Sequence, residues 1–137
     1  MFLAVNHRED EALSWREEDM YPYVMKDLRI RFPAYDGWEI FPQDAWSGYR
    51  PDFVVERRRH GKIQRVVVEV KADCKVRLDY IRQLNSYARN LAGRNVEIVG
   101  KILVVPAGTD TSNVPYDIEI MYLRAFKCED QKIIWYG

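Results

Sequence analysis

The chain has 137 residues, 47% of them apolar and 31% charged. One domain with its own core is expected, and disordered, collagen-like and low-complexity classes are excluded. Its 21 basic and 21 acidic residues cancel, so a whole-chain argument for a polyanionic partner fails.

The cancellation is not local. Residues 1–49 hold 5 basic against 10 acidic groups, residues 50–94 hold 12 against 5, and residues 95–137 hold 4 against 6. The middle segment is therefore either a solvated basic face or a positive surface for a polyanion. The longest apolar stretch, Ile102 to Ala107, is a buried strand at most, so no membrane span is expected. The first residues lack the basic-then-apolar pattern of a signal peptide. Cys74 and Cys128 are far apart and have no CxxC spacing. That spacing argues against a disulfide or a cysteine zinc site and fits a reducing cytoplasm.

Residues 1–13 are polar and expected to be loosely held. Ser14 to Glu17 matches a capping box, and Met20, Val24 and Leu28 follow at helical spacing. Pro22 either kinks this helix or marks where its regular part begins. Trp38 to Phe41 reads as a strand and Pro42 to Gly48 as a loop. Phe53 to Arg58 and Ile63 to Lys71 read as two strands joined by a hairpin at His60-Gly61. A helix is expected from Val76 to Leu91, with Leu78, Ile81, Leu84, Ala88 and Leu91 as its apolar stripe and Gly93 ending it. Glu97 to Val105 is a strand, Pro106 to Pro115 a loop, Ile118 to Phe126 strand or short helix, and Lys132 to Tyr136 a last strand. The order predicts an α/β fold: one mixed sheet with helices packed against it.

The informative residues are Pro51-Asp52 and, after sixteen intervening residues, Glu69-Val70-Lys71. Side chains alternate along a strand, so Glu69 and Lys71 share a face. Folding the hairpin at His60-Gly61 sets Phe53 against Val68, Val54 against Val67, Glu56 against Arg65, and Asp52 against Glu69. Two apolar pairs and one opposite-charge pair favour that register, and a one-residue slip loses all of them. Facing residues have Cβ atoms roughly 5 Å apart. Two carboxylates that close share a proton or hold a cation, and oxygen donors suit Mg²⁺ or Mn²⁺. The Val70 carbonyl is placed to add a ligand. Lys71 is placed to hold a water nucleophile or offset charge growing on a phosphate.

Pro51-Asp52…Glu69-Val70-Lys71 resembles the signature of the PD-(D/E)xK nuclease superfamily, which includes restriction endonucleases, archaeal Holliday-junction resolvases and RecB-type exonuclease domains. Glu17-Glu18-Asp19-Met20-Tyr21-Pro22 is similar to the acidic first-helix motif of many members. Gln83-Leu-Asn-Ser-Tyr87 is similar to the glutamine-bearing helix of RecB-like members. The resemblance spans residues 14–106. It implies a restriction-endonuclease-like core, in the order α-β-β-β-α-β, as a single domain over residues 1–137. It also implies a metal-dependent nuclease acting on DNA, alone, as a homodimer or within a larger assembly. Asp52 and Glu69 would bind Mg²⁺, with Mn²⁺ able to substitute. Lys71 would assist the attacking water, Glu17 (or Glu18) would complete the site from the first helix, and Gln83 would support it from the second.

Each residue also has a plainer reading. Glu17 could serve only as a helix cap, Gln83 could lie on the surface, and Glu69 could be a structural partner of Lys71. Asp73 is either an accessory acid or, preferably, the cap of the next helix. Arg57, Arg58, Arg59 and Lys62 form a hairpin tip that either is solvated or contacts phosphates, with Lys75 adding to the basic surface. The competing functional reading is a catalytically silent subunit that keeps the nuclease fold and binds DNA.

Overall fold

The computed structural model describes residues 15–43 and 50–137. In chain order the elements are helix α1 (Glu17–Arg31), a 3₁₀ turn (Ala34–Asp36), and strands β1 (Glu39–Pro42), β2 (Phe53–Arg59) and β3 (Lys62–Val70). Helix α2 (Leu78–Leu91) follows, then β4 (Val96–Ala107), β5 (Glu119–Glu129) and β6 (Lys132–Trp135). Ser14, the proposed loose segment before it, and most of the loop from Pro42 to Gly48 lie outside the described residues.

The strands form one sheet in sequential order, β1 to β6. β2 runs antiparallel to β1 and to β3, β4 is parallel to both β3 and β5, and β6 returns antiparallel to β5. The sheet is thus mixed, as expected. Its centre, β3 and β4, is apolar on both faces because a helix covers each one. On one face Met20, Val24 and Leu28 of α1 are fully buried against Phe53, Val55, Val68, Val70 and Val104. On the other, Ile81, Leu84 and Ala88 of α2 bury against Val67, Leu103 and Val105.

The β2–β3 hairpin has the predicted register: Phe53 faces Val68, Val54 faces Val67 and Glu56 faces Arg65. His60 and Gly61 both have positive φ, 54° and 76°, the two-residue turn whose twist matches that of its strands. Arg65 bonds Glu56 at 2.8 Å and also donates to the Leu91 carbonyl at 2.9 Å, which ties the end of α2 to the sheet.

Several expectations are corrected, and two open alternatives, at Pro22 and after Ile118, are resolved. The N-cap of α1 is Arg16, whose N–H is received by Asp19 at 3.0 Å, so the reciprocal carboxylate is not Glu17. Pro22 lies inside α1 rather than at its start. α2 begins at Leu78 with Arg77 as its N-cap, so Asp73 is not the cap of that helix. β4 continues through Pro106 to Ala107, where a loop was expected. The segment after Ile118 is strand. Cys74 and Cys128 form a disulfide, their Cα atoms 5.6 Å apart, because β5 returns beside the segment leaving β3. The sequence-spacing argument against a disulfide, and the inference of a reducing compartment drawn from it, therefore fall. Among the described residues no helix is long and apolar enough to cross a membrane.

Candidate functional site

At one end of the hairpin, α1, β2, β3 and α2 converge on an open cleft of about 210 Å³ lined in part by Glu17, Tyr21, Asp52, Glu69, Lys71 and Gln83. Its floor is made by two carboxylates from neighbouring strands. The Asp52 N–H donates to Glu69 Oε1 at 3.0 Å, and the Val70 N–H donates to Asp52 Oδ2 at 2.7 Å. Each carboxylate thus receives a backbone N–H from the other strand. This reciprocity depends on the register, since a slip would turn Glu69 to the opposite face.

Glu69 is 4% exposed. Burial, and then the negative charge of Asp52, push its carboxyl far above the ordinary range, while Lys71 pulls it partly back. Lys71 Nζ lies 3.4 Å from Glu69 Oε2 and donates to Gln83 Oε1 at 2.9 Å. The Gln83 amide in turn donates to the Tyr87 hydroxyl at 2.9 Å. Gln83 and Tyr87 are four positions apart on α2 and so share a helix face. The amide therefore has one end on the lysine and the other on a buried phenol, which orients the lysine towards the carboxylates.

Glu17 reaches the cleft from the first turn of α1. Burial raises its carboxyl above the ordinary value, with Lys71 opposing and Asp52 adding to the shift. Because Asp19 serves the cap, the Glu17 side chain is available to the cleft. Glu18 also lines it but is the more exposed of the two.

Tyr21 was missed by sequence reasoning, which assigned it no role of its own in the site. Its hydroxyl donates to Asp52 Oδ1 at 2.5 Å, and its ring meets Phe53 edge-on at 5.4 Å. The available signal was its spacing: Tyr21 follows Glu17 by four residues, so the two share a helix face. Tyr87 is buried, and its hydroxyl meets the Gln83 amide where the two line the cleft.

The expected nucleic-acid contacts are not gathered here. Arg57 donates to Gln64 at 2.9 Å and stacks over Trp38 at 4.3 Å, so it is engaged in the fold. Arg58, Arg59 and Lys62 are exposed at the hairpin tip, roughly 20 Å of strand from Asp52 at about 3.3 Å per residue. Lys75 is exposed in the segment between β3 and α2.

Among the described residues no group of three His, Cys, Asp or Glu side chains is close enough to form a metal cage. The donors at the cleft floor are the Asp52 and Glu69 carboxylates; Glu17 and Glu18 also line the cleft, and neither imidazole nor thiolate does. That set fits Mg²⁺, which is held by one or two carboxylates and keeps its remaining positions for water and substrate phosphate, and does not fit Zn²⁺. Comparison of the chain with protein-family models, with curated proteins and with solved structures gave no match.

Proposed function

We propose that this chain is a metal-dependent nuclease that hydrolyses phosphodiester bonds in DNA, with a restriction-endonuclease-like core. The observation that carries the reading is the pairing of Asp52 and Glu69 across β2 and β3, with the Lys71 ammonium 3.4 Å from Glu69 at the floor of an open cleft. When both are ionised, the buried Glu69 and the half-buried Asp52 beside one lysine leave excess negative charge, and a hard divalent cation relieves it. The element order α1-β1-β2-β3-α2-β4 also agrees with the order that the sequence resemblance implies.

Asp52 and Glu69 would hold Mg²⁺, or Mn²⁺ in its place. The ion supplies charge neutralisation at the phosphate and a more acidic bound water. This chain's own residues do the rest. Tyr21 orients Asp52 and leaves one face of its carboxylate directed by the backbone of β3. Lys71 offers a fixed positive charge to the attacking water or to the non-bridging phosphate oxygens, and Gln83 holds it there. In the net reaction water adds across one P–O bond, leaving a phosphate terminus and a hydroxyl terminus.

The test is cleavage of plasmid, linear and branched DNA with Mg²⁺ or Mn²⁺, comparing wild type with Asp52→Ala, Glu69→Ala and Lys71→Ala. Loss of cleavage in all three is expected. Activity that survives both carboxylate substitutions overturns the site. A wild type that binds DNA in a salt-sensitive manner but never cleaves it supports the silent-subunit reading instead.

A further inference from the structure

Lys71 has a third neighbour that the proposed mechanism does not use. Its Nζ lies 4.7 Å from the centre of the Tyr80 ring, on the first turn of α2. The ammonium is therefore bounded by Glu69, by the Gln83 carbonyl oxygen and by an aromatic face. The Tyr80 ring is itself anchored: its hydroxyl donates to Asp73 Oδ2 at 2.6 Å. Burial, and then that hydrogen bond, push the phenol up to about 12, so it stays a donor across the working range.

Asp73 in turn is fixed from several sides. Its other oxygen receives the Cys74 N–H at 2.8 Å, and Arg77 lies 3.2 Å from Oδ2. Thr109 Oγ1 donates to the Asp73 carbonyl at 3.0 Å, and the Cys74–Cys128 disulfide ties the next residue to β5. Burial disfavours the Asp73 charge, but the bonds from Tyr80, Arg77 and Cys74 outweigh it and hold the carboxyl below its ordinary value.

We infer that Tyr80, anchored by Asp73, is a positioning residue for Lys71: its ring forms the wall that keeps the ammonium over Glu69 and away from solvent. The inference rests on the nuclease reading for its kinetic consequence but not for its geometry. A cation over an aromatic face is attracted by the ring quadrupole, and the attraction grows when water is excluded. The hydroxyl touches Asp73 and not the lysine, so a ring without it retains most of the effect.

The experiment compares wild type, Tyr80→Phe and Tyr80→Leu in two ways. The first is acetylation by acetic anhydride, read by mass spectrometry as the labelling rate of Lys71 relative to exposed Lys75 in the same molecule. That ratio is expected to rise several-fold in Tyr80→Leu and to stay within about twofold of wild type in Tyr80→Phe. The second is DNA cleavage with Mg²⁺. Tyr80→Leu is expected to lose tenfold or more in kcat with KM and Mg²⁺ affinity unchanged, and Tyr80→Phe to recover most of it. Equal Lys71 labelling in all three folded proteins, or a Tyr80→Leu defect confined to KM, overturns the assignment. A wild type that shows the labelling pattern yet cleaves no DNA overturns the nuclease reading and leaves the lysine wall standing.

Discussion

The backbone N–H of Asp52 is bonded to the side chain of Glu69 at 3.0 Å, so the backbone of one acid holds the carboxylate of the other. Glu69 is held in place by its neighbour while also being repelled by its charge. The cost of that repulsion falls on the folded state and is relieved by protonation or by a cation.

Its consequence for stability has a definite sign. The Glu69 carboxyl is pushed from an ordinary 4.5 up to about 8, so the folded chain keeps a proton that the unfolded chain releases. The associated stability is complete below the unfolded value and is lost as pH rises through the folded one. In chelator the melting temperature should fall between about pH 5 and about pH 8.5, and Mg²⁺ should restore it at the alkaline end. Glu69→Gln should be more stable than wild type by ~1 kcal/mol or more at neutral pH without metal, and should gain nothing from Mg²⁺. Thermal melts by circular dichroism across that range check both. A wild type with no fall relative to Glu69→Gln contradicts the argument.

Tyr21→Phe removes the hydroxyl from Asp52 Oδ1 and keeps the ring against Phe53. A bond to a charged group is worth about 1.5–3 kcal/mol, so a fall of roughly tenfold or more in kcat/KM is expected. Weaker Mn²⁺ binding is expected with it; isothermal titration with Mn²⁺ and cleavage kinetics measure the two effects. If both match wild type, Tyr21 does not orient the acid.

The Cys74–Cys128 link closes a sequence separation of 54 residues. Loop-closure entropy for that length corresponds to ~4 kcal/mol at most. Dithiothreitol, or Cys74→Ala with Cys128→Ala, should lower the denaturant midpoint without changing the fold. Urea titrations with and without reductant provide the comparison, and coincident curves refute the link.

Arg57 and its neighbours at the hairpin tip should separate. Arg57→Ala should destabilise by ~1 kcal/mol, because the stack on Trp38 and the bond to Gln64 are both lost. Arg58→Ala with Arg59→Ala should leave stability within about 0.5 kcal/mol. If these two side chains touch phosphates, the pair should reduce the salt dependence of DNA binding by roughly two counterions. Fluorescence anisotropy across a salt series reads that slope, and an unchanged slope assigns the tip to solvent.

The sequence alone determined the β2–β3 hairpin and, through it, the meeting of Asp52 and Glu69. His60-Gly61 supplies the turn, and the alternation of valines with Glu56 and Arg65 allows one register, so adjacent-strand pairing follows from local chemistry. The i,i+4 spacing of Gln83 and Tyr87 was legible for the same reason. The tertiary structure decided the rest. Tyr21 is 31 positions from Asp52, Thr109 is 36 from Asp73 and Cys128 is 54 from Cys74. Arg57 faces Trp38 instead of solvent. Such contacts are set by how each helix docks on its face of the sheet and by where β5 returns, and no periodicity within a single segment encodes those placements.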